Sequence, residues 1–346
     1  MPQQSTAQSR MTAEALEAPA VVSRQIDANR HTVAAIAADL RATPPRFVVT
    51  GARGSSDHAA TFAKYLIEVR TGLVTASAAP SVATIYDRQL AMDGALFIAI
   101  SQSGKSPDLI RQAELAAAGG ALTVALVNQQ DSPLAAVCRH VLPLHAGPET
   151  SVAATKSYIA SLSALLHLVA AWQDDRALEQ ALDRLPERLD AATRLDWSEP
   201  LDAFADAVDL LVVGRSFGFA IAQEAALKFK ETCGLHAEAF SGAELMHGPV
   251  ALVGPDYPVL VFSPEDETRE SLRPVIASLR DKGAAVFAAE AGSVEPGRLP
   301  IVPPLHPQAD TLPMVVAFYR LAAELAARRG LDPDQPRHLH KVTETR

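Results

Sequence analysis

The 346-residue chain is poor in cysteine, with only Cys138 and Cys233. Two thiols cannot build a disulfide framework, and the expected compartment is the reducing cytoplasm. Excess positive charge is also lacking: 31 Lys and Arg stand against 40 Asp and Glu, a net charge of −9 at pH 7. That balance argues against a nucleic-acid partner, which needs a basic footprint. It leaves room for a small anionic ligand, because a pocket can be positive on a negative body. No run is suited to span a membrane. The most apolar stretch, Ile159 to Trp172, is broken by Ser161, Ser163 and His167 and reads as a core helix. The start, Met1-Pro2-Gln3-Gln4-Ser5, is polar and lacks a signal-peptide core. What is present is apolar material, 48% against 21% charged. That excludes global disorder and, at this length, points to two domains.

Periodicity predicts a helix from Met11 to about Ala42, stopped by Thr43-Pro44-Pro45. Strand and helix patterns then alternate. Phe47–Thr50, Leu73–Ala78, Ala95–Ile100, Leu122–Val127 and Val141–Leu144 read as strands, with helices through Tyr65 and over Pro107–Ala118. A long helical stretch, two helices, covers Val152 to Leu195. The grammar restarts with strand Leu210–Val213, helix Phe217–Cys233, strand Pro258–Phe262, helix Arg269–Lys282, strand Ala285–Ala288 and a helix over Thr311–Gly330. Short β-branched runs between amphipathic helices imply parallel strands with helical crossovers. The expected architecture is therefore α/β, two tandem doubly wound parallel-sheet units at 44–197 and 198–330. A helical segment, 1–43, precedes them, and a polar tail, 331–346, follows.

Two turns concentrate hydroxyls. Ala95–Ile100 runs into Ser101-Gln102-Ser103-Gly104-Lys105-Ser106-Pro107, where three hydroxyls, an amide and a helix start lie beyond a strand end. Such a place suits a phosphate. Ser106 alone is equally well explained as an N-cap, but one cap does not account for Ser101, Gln102 and Ser103. Gly104-Lys105-Ser106 mimics the end of a P-loop, yet the leading glycine is replaced by Ala99, which excludes that motif. The turn Gly51-Ala52-Arg53-Gly54-Ser55-Ser56-Asp57 lacks the G-x-G-x-x-G spacing, which disfavours a dinucleotide. Ser55 and Ser56 fit an N-cap and ligand contact equally well.

In the helix from Gln223 to Glu231, Glu224, Lys228 and Glu231 share one face. A solvated ion-pair face is the ordinary outcome of this spacing. The following segment, however, brings His236, Glu238, Glu244 and His247, with Gly248-Pro249 fixing the backbone after His247. A carboxylate near a lysine and a histidine is equipment for moving protons on carbon. Metal ligation is the weaker alternative, since no H-x-x-x-H spacing occurs.

These residues resemble a known family. Glu224 to Glu231, His236-Ala237-Glu238-Ala239 and His247-Gly248-Pro249 are similar to the isomerase half of glucosamine-6-phosphate synthase. Ser101-Gln102-Ser103-Gly104 resembles its phosphate loop, Val152-Ala153-Ala154-Thr155-Lys156 another loop of that site, and Asp334 to Lys341 its carboxyl-terminal lysine segment. The likeness runs in order from about Arg46 and implies tandem SIS (sugar isomerase) domains. Pro2 stands where the synthase's glutaminase domain has its nucleophilic cysteine, so glutamine is not the expected ammonia source. Ala154, the turn Gly214-Arg215-Ser216-Phe217-Gly218 and Ala52 to His58 look more like stand-alone SIS-type glucosamine-6-phosphate deaminases.

The resemblance implies an enzyme without cofactor or metal, acting on an amino-sugar phosphate. Ser56, Ser101, Gln102, Ser103, Ser106, Val152 and Ala154 would bind substrate. Glu231 would shuttle the proton between C2 and C1, His247 would open the ring, and Lys228 held by Glu224 would stabilise developing charge. Lys341 falls at the family's Schiff-base lysine, where a deaminase would need only an electrostatic or proton-transfer group. In the family the ring-opening histidine comes from a neighbouring subunit, which implies a homodimer with a shared site. Other sugar-phosphate isomerases, a galactosamine-6-phosphate deaminase or deglycase, and a non-catalytic sugar-phosphate sensor share the fold and stay open. The sensor needs the serine loops but not Glu231, His247 and Lys341 together.

Overall fold

The computed structural model describes residues 8–293 and 295–341. Its first part comprises α1 (Arg10–Leu16), α2 (Ala18–Ala42), β1 (Phe47–Gly51), α3 (Ser55–Thr71), β2 (Thr75–Ser77), α4 (Pro80–Thr84), β3 (Ala95–Ser101), α5 (Pro107–Ala118), β4 (Leu122–Val127), α6 (Pro133–Val137), β5 (His140–Pro143), α7 (Lys156–Trp172) and α8 (Arg176–Ala192). The second comprises α9 (Leu201–Ala205), β6 (Asp209–Gly214), α10 (Phe217–Cys233), β7 (His236–Ser241), α11 (Gly242–Met246), β8 (Pro258–Phe262), α12 (Arg269–Asp281), β9 (Ala285–Ala289), β10 (Arg298–Leu299) and α13 (Thr311–Arg328).

Both sheets are parallel and five-stranded, ordered β2-β1-β3-β4-β5 and β7-β6-β8-β9-β10. They are one topology used twice, as the α/β tandem expectation required. Strands β3 and β8 are buried along their whole length, and their apolar runs follow from helices covering both faces. In each sheet the winding reverses between the first and third strands, leaving a crevice beyond their carboxyl ends. Helices α3, α7, α10 and α13 form a layer between the sheets, and one apolar core runs through it into both. Phe62 and Tyr65 of α3 meet Phe217 of α10, with ring centroids 5.2 and 6.4 Å apart. Each such pair contributes about 0.5–1.5 kcal/mol beyond area burial. They seat the start of α10 against the first unit, which aims its polar face at the first crevice.

Several expectations need correction. The first helix is two, because Pro19 lacks an N–H and its ring would strike the carbonyl of Ala15; a new helix starts at Ala18. Strand β2 is only Thr75–Ser77. Helix α3 continues past Tyr65 to Thr71, where left-handed Gly72 stops it. The segment His236–Ser241 forms an edge strand that its short, alternating side chains did not advertise. The tail is not loose through residue 341: Asp334 accepts the backbone N–H groups of Arg10 and Met11 at 2.7 and 2.8 Å, capping α1. Among the described residues, no helix is long and apolar enough to cross a membrane.

Candidate active site

The crevice between β1 and β3 opens into a cleft of about 310 Å³. Its floor is the hydroxyl turn after β3. Ser101 Oγ accepts from Gly104 N at 3.1 Å and Ser103 Oγ from Lys105 N at 3.3 Å, so each hydroxyl proton stays available to a ligand. Gly104 is required here: its φ is +62°, and a Cβ would run into Ser132. Ser106 occupies the N-cap position of α5 but makes no capping bond, so the capping explanation fails for it. The cap of α3 is Gly54, so neither Ser55 nor Ser56 is one. Ser56, Ser101, Gln102, Ser103, Ser106 and Val152 all line the cleft.

Glu231 and Lys341 line the same cleft. Glu231 ends a buried chain of charge along α10. Lys228, 1% exposed, donates to Glu231 and lies 3.6 Å from Glu224, which is fully buried. A solvated ion-pair face is therefore excluded for Glu224 and Lys228. Glu224 also accepts from Ser55 (3.1 Å), His58 Nδ1 (2.9 Å) and the Tyr319 hydroxyl (3.0 Å). Burial alone would push the Glu224 carboxyl up, but Lys228, His58 and Ser55 outweigh it and hold the group below its usual range. Burial likewise works against the Lys228 charge, and Glu224 and Glu231 overcome it, raising its pKa. Burial and Glu224 push the Tyr319 phenol up, which keeps it a donor. The result is an ionised Glu-Lys pair fed by donors from both units, with its lysine touching the one carboxylate that opens to the cleft.

Lys341 is held from the opposite side. Its Nζ donates to Glu149 (3.1 Å) and to the Ser151 carbonyl (2.7 Å). Buried Glu149 also takes the N–H groups of Thr155 and Ser157 and the Ser157 hydroxyl, at 3.0, 3.1 and 2.7 Å. Next to it, Glu14 of α1 gathers Thr150 and Ser151 through backbone and hydroxyl donors. Burial raises the Glu14 carboxyl, and these donors more than reverse the effect, leaving it lowered. Helix α1 thus ties the 149–155 loop at one end and the tail at the other.

Not every expected residue arrives. Ala154 is not among the cleft-lining residues. His247 follows α11, which packs on α12 at the outer face of the second sheet, and it is exposed away from the cleft. Exposed His236 and Glu238 lie on the edge strand. Among the described residues no group of three or more His, Cys, Asp or Glu is arranged to hold a metal. Conversely, Arg53, His58, Asp108, Glu149 and Tyr319 bear on the cleft without having been singled out. Arg53 and His58 were inside a turn already marked by its serines. Tyr319 is an aromatic in an apolar helix, and no local pattern separates it from core.

The SIS domain model matches residues 43–171 and again 203–289, one match to each sheet. The glutamine--fructose-6-phosphate aminotransferase [isomerizing] of Thermotoga maritima is 34% identical over 305 residues, covering 83% of this chain and 50% of the relative. The chain therefore spans about half the length of the curated relatives it matches. Among solved structures, a provisionally assigned phosphosugar isomerase from Silicibacter pomeroyi is 46% identical, with a TM-score of 0.90 over 94% of this chain and 100% of that one. Glucosamine-6-phosphate deaminase from Thermotoga maritima shares the fold at 21% identity, with a TM-score of 0.78 over 97% of this chain and 100% of that one. With two matched segments covering most of both sheets, and a relative this similar over most of the chain, the protein belongs to the SIS-domain family.

Proposed function

We propose that the protein is an amino-sugar-phosphate deaminase that turns glucosamine 6-phosphate and water into fructose 6-phosphate and ammonia. The observation that carries this reading is that Glu231 and the 101–106 hydroxyl turn border one cleft. A phosphate held by Ser101, Gln102, Ser103 and Ser106 anchors the sugar at its unreactive end, and this remote binding positions C2 and C1. Glu231 removes the C2 proton from the open-chain aldose, giving an enolamine, and returns it to C1, giving a ketimine. Water adds to C2 and ammonia leaves. Lys228, charged and buried against Glu231, stabilises through space the negative charge that develops on the substrate, and Glu224 fixes it in place. Lys341 is engaged with Glu149 and Ser151, which favours an electrostatic role over a covalent imine. The substrate already carries its nitrogen, so the chemistry needs no such link. His247 opens the ring from a second copy, as part of a homodimer with shared sites; its position outside this chain's own cleft is compatible with that role.

The likeness to the Silicibacter pomeroyi structure favours a second reading, aldose–ketose isomerisation of a phosphosugar without loss of nitrogen. Both readings use the same C2-to-C1 transfer. Incubation with glucosamine 6-phosphate, galactosamine 6-phosphate and non-aminated aldose 6-phosphates separates them. Ammonia and fructose 6-phosphate from the first compound support the deaminase. Ketose formation from a non-aminated sugar alone supports the isomerase, and binding without turnover of any sugar defeats both.

A further inference from the structure

From the cleft's charge layout we infer that Arg53 is a specificity-determining residue, the fixed counter-charge that selects a dianionic phosphate over a neutral sugar end. The inference rests on the proposed phosphate site and adds a residue to it. Arg53 lies in the turn after β1, across the crevice from the hydroxyl turn, and lines the cleft with Ser56, Ser103 and Ser106. Its Nε and Nη2 reach one oxygen of Asp108, at 2.8 and 2.7 Å. Asp108 is only 1% exposed, while the Arg53 side chain is 50% exposed. The other Asp108 oxygen takes the N–H of Leu109 at 2.9 Å in the first turn of α5. A buried carboxylate thus pins the Nε–Nη2 edge of the guanidinium, and among the described residues Nη1 has no hydrogen-bond partner, so it is open to a ligand.

The need for such a group follows from charge. Hydroxyls and a helix start solvate a phosphate but supply no full positive charge. Lys341, the other strongly basic side chain of the cleft, spends two of its three donors on Glu149 and the Ser151 carbonyl, whereas the Asp108 pairing of Arg53 engages only the Nε–Nη2 edge of a five-donor guanidinium. Glu231 adds a carboxylate to the same cleft, which makes a compensating cation near the phosphate more valuable. An arginine fits this task, since it stays charged and its planar donors match phosphate oxygens.

The test uses the 346-residue chain and its Arg53→Met and Arg53→Lys variants. Steady-state turnover of glucosamine 6-phosphate is measured alongside competition by inorganic phosphate. Loss of a charge-assisted contact should raise KM and the phosphate inhibition constant about ten- to a hundredfold in Arg53→Met, with kcat within about threefold. Arg53→Lys should lie between, and the rise of KM with salt should flatten in Arg53→Met. Unchanged KM and inhibition constant in a folded Arg53→Met variant overturn the inference and leave the phosphate site standing. A fall confined to kcat also overturns it. If the unsubstituted protein neither turns over the sugar phosphate nor is stabilised against heat by inorganic phosphate, the site reading itself fails. Should Arg53→Met not fold, Arg53→Lys and the salt dependence of the unsubstituted protein decide: a KM indifferent to both overturns the inference.

Discussion

Helix α3 and helix α10 each run for 17 residues, each follow a residue with positive φ (Gly54 at 56°, Ser216 at 52°) and each end on a left-handed glycine, Gly72 or Gly234. Counted from their first residues, Glu224, Lys228 and Glu231 of α10 correspond to Phe62, Leu66 and Val69 of α3. The same helix in the same frame therefore carries charge once and hydrocarbon once. The crevices differ to match. In the first unit the turns that follow β1 and β3 border an open cleft. In the second, a Cβ on Gly218 would sit 3.0 Å from the Phe262 carbonyl oxygen and one on Gly214 would strike the Gly218 backbone, so α10 begins directly against the ends of β6 and β8. One topology supplies two frames, and from the second frame's helix Glu231, backed by buried Lys228 and Glu224, borders the crevice of the first.

The sharpest way to break this comparison is to exchange the roles. Glu231→Gln should lower ammonia release from glucosamine 6-phosphate by about three orders of magnitude, the scale of a lost general base, and abolish deuterium exchange at C1 and C2. Val69→Gln, at the matching place on α3, should leave the rate within about twofold. Retained full activity in Glu231→Gln removes that residue from the mechanism.

Stability should divide along the same line. Glu224→Ala removes the fully buried partner of Lys228 and should cost about 3–5 kcal/mol in denaturant unfolding. The double change Glu224→Met with Lys228→Met makes α10 apolar there, as α3 is. It should recover most of that loss while remaining inactive, because well-packed hydrocarbon often replaces a buried ion pair without penalty. A double variant no more stable than Glu224→Ala would show that α10 cannot accept the α3 solution.

Smaller effects follow from carboxylates that differ between the units. The Glu14 pKa is lowered on folding from an ordinary 4.5, so its contribution is present above that pH and is lost as pH falls through the folded value. Glu14→Gln should cost about 2 kcal/mol at pH 7, with the deficit shrinking in acid. Burial raises Asp310 from an ordinary 3.8, which reverses the sign: its contribution is present below that pH and lost as pH rises through the folded value. Asp310→Asn, which keeps an acceptor for the Leu305 and His306 N–H groups, should therefore hold or raise stability at pH 7. Urea titrations at pH 4 and 7 check both. Smallest is the backbone pair: Ser216→Gly should stabilise and Gly54→Ala destabilise by about 1 kcal/mol each, since both positions hold a φ that side chains resist. Equal melting temperatures would show that the strain is relieved elsewhere.

The sheets were legible because parallel strands buried on both faces read as unbroken apolar runs; Leu122–Val127 and Pro258–Phe262 have the bounds expected. The hydroxyl turn was legible because chemistry there is local in sequence. What could not be read was burial and distance. Nothing in the spacing of Glu224 and Lys228 tells a solvated face from an interior one, since the deciding neighbours, Ser55, His58 and Tyr319, lie some 95 to 169 positions away in the chain. Edge strand β7 was missed because a half-exposed strand of short residues has little periodic contrast, and Arg53 because its partner Asp108 sits 55 residues downstream.

The placement of α10 has a corollary for any attempt to dissect the protein. Cut between the two sheets, the amino-terminal piece would keep the anion cradle and lose the acid, and the carboxyl-terminal piece the reverse. On the proposed function neither fragment would turn over a sugar by itself, and reassociation across the α3–α10 packing, the Phe62–Phe217 contact included, would be needed to bring the two together. The proposed chemistry sits at the joint between the halves and belongs to neither alone.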